Sequence, residues 1–416
     1  MNKLTKLTDN VSNILIFITM IIMILGNSKL LVDHGIESYV EYFGYALLML
    51  GVIYTFITSN PIKDIKKWKK TIIMILVVGF LFSFGIMIQG LSFGTKIRLV
   101  ATMGVLAIIP FAADNYMNTF EKIRSASYGI LAGTVITTIL ALIGGSKVLE
   151  TSYEGVLSIG FRGGVEFKNF YAADILASFM GIFFYYRYRD SYRNIKIKRM
   201  DLIVMCIEGI LIFLSSSRGG YLLFIIFLLS TLYEKCKSIE IKKLYICEII
   251  AGILMVIGLI IAFKFILPKS SNYMYRIRGI ENYFKYLKGD WFHLIFGNSQ
   301  MAFGDSRYTY IVNIRRHVGW NGSYEMGFIN TLIKNGILGI AGFVIIFAHY
   351  IRQIFKCSNW RLKTASLSVV SVLLFSSMVE SYVCNIHAFF GVYSYLVMCG
   401  ISGMIKKEEE KHDLKS

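Results

Sequence analysis

The chain has 416 residues, with 44 Lys and Arg against 26 Asp and Glu, a formal net charge of +18, and a hydrophobic fraction of 55%. A soluble protein of this length with a mean hydropathy of +0.59 would expose too much apolar surface to stay dispersed. The composition excludes a soluble globular fold and points to a polytopic membrane protein.

Apolar runs long enough to cross a hydrocarbon layer about 30 Å thick recur from end to end. In chain order the expected spans are 11–32, 38–58, 71–89, 97–114, 126–146, 170–187, 201–216, 219–233, 244–267, 324–350, 365–383 and 388–405. The first follows Lys3 and Lys6 with no small-residue cleavage site, the pattern of an uncleaved first span. The expected fold is all-α: one polytopic membrane helix bundle over 1–416 of about twelve transmembrane helices. Two longer connections interrupt it, an outer loop at 147–169 and a long outer loop at 268–323. The second loop mixes aromatic, apolar and basic residues in "ENYFKYL" and "KGDWFHLIFGN", which reads as an amphipathic interfacial helix. Glu208 and Glu248 fall inside spans, and each is expected near a helix end or paired within the bundle.

Basic residues alternate between the connections. Five lysines lie at 63–70, six Arg or Lys at 187–199, and four each at 235–243, 352–363 and from Lys406 onward. Together with Lys3, Lys6, Lys122 and Arg124 these are more than half of the total, all on one side of the expected topology. By the positive-inside rule that side is cytoplasmic, with both termini inside the cytoplasmic membrane. The long loop on the other side is basic too, and with Lys96, Arg98, Arg162, Lys168 and Arg218 it points to an outward cavity that attracts anions. The alternative for any one of these cations is contact with lipid headgroups.

Several chemistries lack their signatures. There is no GxGxxG or P-loop to cradle nucleotide phosphates, no HExxH, and no DxD-type acidic pair for a metal-bound nucleotide sugar. The cysteines at 206, 236, 247, 357, 384 and 399 include no CxxC pair, so no disulfide framework or zinc site is implied. No cofactor, metal or nucleic-acid partner is expected.

Four outward segments hold polar residues that a plain bundle would not need. They are "GFRGGVEFKNFYAAD" (160–174), "SSSRGG" (215–220), "YRIRGIENY" (275–283) and "RRHVGWNGSYEMGFINTLIKNGILG" (315–339). Arg162 and Arg218 are set among glycines and serines, where a backbone can come close to a ligand. In the fourth segment Glu325 is followed at helical spacing by Phe328, Ile329, Leu332, Gly336 and Gly339, a face that would pack through its glycines. Glu325 is either a salt-bridge partner that fixes the loop or a general base that accepts a proton from a hydroxyl. His317, eight residues earlier, is the second candidate for the base.

Taken in order over about residues 150–345, these segments resemble the O-antigen ligase and polysaccharide polymerase (Wzy) family of multi-span membrane glycosyltransferases. An outward arginine before an Asn-bearing helix start is matched by Arg162 and Asn169, and an S-x-S-R-G turn by Ser217 and Arg218. A long outer loop that opens with arginine and an amphipathic helix is matched by Arg276 and Arg278, and a closing G-x-x-G by Gly336 and Gly339. The ligase branch carries a His eleven residues before the first of those glycines; here Glu325 stands there, followed by Met326, which favours a polymerase.

The resemblance implies a GT-C-like fold and a polyprenyl-diphosphate-linked oligosaccharide as substrate, joined to a growing polysaccharide on the outer face of the cytoplasmic membrane. It implies Arg162, Arg218, Arg276 and Arg278 as diphosphate-binding, Asn169 and Ser217 as substrate-binding, and Glu325 or His317 as catalytic. Membrane lipids and a chain-length regulator are the further partners it brings. The rivals are ligase-type transfer to another acceptor, a transporter or flippase for an anionic lipid-linked substrate, and a structural scaffold.

Overall fold

The computed structural model describes residues 3–59, 65–153, 157–189, 195–238, 271–298 and 326–413. Over these the helices are α1 (Lys3–Leu25), α2 (Lys29–Asp33), α3 (Glu37–Ser59), α4 (Ile65–Ile88), α5 (Phe93–Ala112), α6 (Phe120–Ile143), α7 (Lys168–Tyr188), α8 (Ile195–Leu214) and α9 (Arg218–Thr231). The series continues with α10 (Ser271–Tyr286), α11 (Trp291–Phe296), α12 (Gly327–Lys356), α13 (Trp360–Val379) and α14 (Phe389–Asp413). Their starts are set locally. Ser92, Thr119, Ser217 and Asn359 each accept a hydrogen bond from a first-turn N–H of α5, α6, α9 and α13, meeting donors that the helix itself leaves open.

Apart from 11–32, each expected span within the described residues overlaps one α-helix. Seven of the described helices, α3 to α6 and α12 to α14, are long and apolar enough to cross a membrane, which marks a membrane protein. The apolar stretch of α4 is only 22% buried within the protein, whereas that of α14 is 89% buried. Thus α4 is peripheral and α14 central. α7 is the other central helix, buried without a break from Tyr171 to Ile182. It falls short of the membrane-crossing hydropathy because protein, not lipid, surrounds it, and its sequence admits Asp174 and Ser178. The expected span 244–267, with Glu248, lies outside the described residues.

Two departures from an all-α chain with continuous spans stand out. The 147–169 connection folds as an antiparallel hairpin, β1 (Leu149–Tyr153) with β2 (Leu157–Phe161), in which Leu149 pairs with Phe161. The expected span 11–32 breaks at Gly26–Ser28, where Lys29 N–H donates to Gly164 O at 2.7 Å and Ser28 forms a bridge with Val165. The long loop is helical at α10 and at α11, whose Trp291 and Phe292 are exposed as an interfacial helix requires.

The two ends of the bundle are stitched differently. At the end bearing the hairpin, Gln89 donates to Gly297 O at 2.6 Å, Glu41 and His387 meet at 2.7 Å, and Gly327 N–H donates to Glu380 O at 3.0 Å. At the opposite end Arg124 binds Asp201 at 2.7 Å, flanked by the rings of Tyr128 and Tyr185. Arg189–Glu121, Arg187–Glu234 and Lys406–Asp114 pair there as well. The up-and-down order of helices thus agrees with the polar contacts at both ends.

The glycine-lined face expected below Glu325 is not one straight helix. Gly336 sits inside α12 at φ 68° and ψ −163°, which kinks the helix. A Cβ there would lie 2.2 Å from Ile295 O, so the end of α11 occupies the notch. Gly336→Ala adds a side chain in a left-handed conformation, which alone costs about 1–3 kcal/mol, as well as this clash. The expected outcome is a clear fall in monodisperse protein on size exclusion and a lowered melting temperature, whereas Gly94→Ala, in open space, leaves both unchanged.

Candidate functional site

The "SSSRGG" turn joins α8 to α9 at the hairpin end. Ser215 donates to Ile212 O at 2.6 Å and ends α8. Ser216 takes φ 52°, a conformation that non-glycine residues rarely adopt and that marks functional turns. Its Oγ donates to Ile159 O at 3.0 Å, which ties the turn to β2. Ser217 caps α9, accepting from Gly220 N at 3.1 Å, and donates to Asn169 Oδ1 at 2.8 Å.

Asn169 is the second residue of α7. Its Nδ2 donates to Glu380 Oε1 at 3.0 Å, and its backbone oxygen accepts from Tyr382 Oη at 3.0 Å. The amide is therefore held at both ends, which fixes which atom is oxygen. Glu380 is 8% exposed. It follows the last residue of α13, so the starts of α7 and α9 and the end of α13 meet on one carboxylate. Arg218 is the first residue of α9 and exposed. Beside it Gly219 packs close to the carboxylate, since a Cβ there would stand 3.5 Å from Glu380 Oε1. Two helix N-termini and an arginine thus bring positive potential to this buried carboxylate.

The expected site residues divide as follows. Asn169 and Ser217 bond to each other, and with Glu380 they form a three-helix clasp. Arg162 lies in the adjoining segment but is turned toward its own loop, donating to Lys147 O at 2.8 Å and Glu166 O at 3.1 Å. Burial raises the Glu166 carboxyl above its usual range, with Lys29 and Arg162 among the charges that oppose the shift. Arg278 is exposed on α10, and Arg276 lies two residues before it on the same helix. Glu325 and His317 lie outside the described residues. Glu325 precedes by two residues Gly327, which is anchored to Glu380 O.

The residue that sequence reasoning missed is Glu380. It is the only acidic residue in 360–388, and a window that averages hydropathy places it inside the span 365–383. Glu208 is not near a helix end: it is fully buried within α8, six residues from that end. Among the described residues neither carboxyl oxygen has a hydrogen bond of normal geometry, and Ser178 beside it donates to Ser127 O. Asp174 is buried on α7 with one oxygen likewise unbonded. Among the described residues no three His, Cys, Asp or Glu side chains gather to hold a metal ion.

Comparison with protein-family models and with curated proteins finds no match.

Because the clasp is one network, its members do not act independently. Removing a partner from the buried Glu380 costs about 1–3 kcal/mol, so Asn169→Leu should lower the unfolding free energy by that order. Ser217→Ala and Asn169→Ala together should lose less than the sum of the single changes, with coupling of at least about 0.5 kcal/mol. Additive losses in reversible unfolding in detergent would mean that the two side chains do not form a unit.

Proposed function

We propose that the protein polymerises lipid-diphosphate-linked oligosaccharide repeat units into a surface polysaccharide on the outer face of the cytoplasmic membrane. The observation that carries this reading is the arginine-bearing turn at 215–220 seated on Asn169 and Glu380 at one end of a membrane bundle. Two of the resembling segments adjoin there: Asn169 of α7 touches the turn through Ser217, and Ile159 of β2, just before the first segment, touches it through Ser216.

In this reading the hairpin end faces outward, consistent with the ion-paired basic residues gathered at the other end. The diphosphate of the carrier lies at headgroup level over the N-terminus of α9. There Arg218 and the exposed N–H groups stabilise the charge that develops as the anomeric C–O bond breaks. The acceptor hydroxyl attacks the anomeric carbon, its proton passes to Glu325, or to His317 in its place, and the electron pair of the broken bond leaves with the polyprenyl diphosphate. Diphosphate is a good leaving group, so its departure calls for cationic donors. Arg162 braces the adjoining loop through its two carbonyl contacts and lends its charge to the same face.

Arg218→Ala should reduce elongation of lipid-linked oligosaccharide by about a hundredfold or more, the size of losing one preorganised donor, with membrane protein level unchanged. Wild-type polysaccharide length in that variant would end the diphosphate role. Glu325→Gln should accumulate single repeat units on the carrier and still bind them. Normal chain-length output would remove Glu325 as the base.

One observation favours a second reading, a proton-coupled transporter or flippase. Glu208 and Asp174 are buried carboxyls with unbonded oxygens inside a membrane bundle, where ionisable residues usually serve transport. Purified protein given lipid-linked oligosaccharide in detergent separates the two, because no membrane remains to cross and elongation there requires a polymerase.

A further inference from the structure

The 380–388 segment borders two different places. Glu380 and Tyr382 face α7 and α9, whereas Cys384 to His387 line a cavity of about 190 Å³ against α3, α5 and α12. That cavity is far larger than the roughly 10–15 Å³ one water needs. Its lining is chemically one-sided. Arg98 of α5, Lys334 of α12 and His387 bring basic side chains from three elements, and Thr102, Tyr42 and Asn385 add neutral donors. No carboxylate is among the residues that line it. Glu41 stands behind His387 and is engaged with its Nδ1 at 2.7 Å, which orients the ring, and Glu37 accepts from the lining Ser38 at 3.3 Å.

Depth matters as much as charge. Arg98 and Lys334 stand five and seven residues into helices that begin at the hairpin end. At 1.5 Å per residue that is about 8–10 Å below the helix starts, where headgroups give way to hydrocarbon. Lys334 is 8% exposed and Cys384 beside it 3%. A buried ammonium is compact, with three donors that can rotate onto an oxyanion. Lys96, the lysine of α5, is turned away and donates to Met87 O at 2.7 Å.

We infer that this cavity binds a phosphate-class anion, held by Lys334 and Arg98 and completed by His387 and the Thr102 hydroxyl. It is separate from the Arg218 turn and does not depend on the polymerase reading. The shared ligand chemistry is a phosphoryl group, carried either by a lipid or by a small soluble anion. Occupancy would brace the segment whose other face holds the Glu380 clasp.

The test uses purified full-length protein in neutral detergent, titrated calorimetrically with sodium diphosphate and, separately, with geranyl phosphate. The cavity should supply one site, distinct from any contributed by the Arg218 turn. Lys334→Met and Arg98→Gln should each weaken that site by about tenfold or more, the size of losing a hydrogen bond to a charged group. Gly94→Ala, in open space, should bind as the wild type does, and the cavity site should persist in Arg218→Ala. Binding of diphosphate alone assigns a soluble anion, and tighter binding of geranyl phosphate assigns a lipid phosphate. The inference fails if Lys334→Met, with unchanged melting temperature, binds both probes normally, or if the wild type binds neither. Should Lys334→Met not fold, Arg98→Gln and Thr102→Val decide in the same way. Loss of binding in Arg218→Ala would instead place the anion at the clasp and overturn the separate site.

Discussion

Backbone that leaves a helix inside an apolar bundle must find its hydrogen bonds in protein, because lipid offers none. The 380–388 segment is where this protein meets that demand, and the rest of the hairpin end is arranged around it. Tyr45 and Tyr395 donate to the carbonyls of Ile386 and Val383, and Gly327 N–H donates to that of Glu380. Tyr382 in turn satisfies Asn169 O. Large hydroxylated rings do this job well, since the ring fills core volume while the hydroxyl reaches a carbonyl. The segment can then present a carboxylate to one side and an imidazole to the other without leaving backbone groups stranded.

How much of this was readable from residues alone depended on the range over which each signal acts. Apolar run length is local, and it located α3 to α9 and α12 to α14, with several ends out by a turn or two. The Ser-Arg-Gly turn was legible because capping serines and close-approach glycines leave a short pattern. The hairpin 149–161 was not, since "LETSY" and "LSIGF" alternate weakly and are held partly by Ser216 of a distant turn. Gly336 was read as a packing glycine. Its actual use, a left-handed kink, depends on residues 295–298 arriving from another part of the chain. Glu380 disappeared into a hydropathy average, and Glu208, expected near a helix end or paired, lies in mid-helix.

The candidate site followed the same rule. Sequence order brought Asn169, Ser217 and Arg218 to attention, and the structure joins the first two directly. What it adds is the third helix, because α13 contributes the carboxylate that both N-termini surround. Asn169 and Ser217 are therefore spent largely on each other, and Arg218 and Gly219 stand beside the carboxylate that they enclose. Arg162, engaged with two carbonyls of its own loop, shapes that site from beside it.

The notch in α12 links regions far apart in the chain. Asn298 N–H donates to Ile333 O at 2.5 Å, and Gly297 lies against Lys334 and Asn335. The end of α11 and the residues just after it are thus driven like a wedge into α12 beside the buried lysine. Straightening α12 would require that wedge to be withdrawn, so any load that displaces the loop is transmitted to the depth of Lys334 as a change in helix bend.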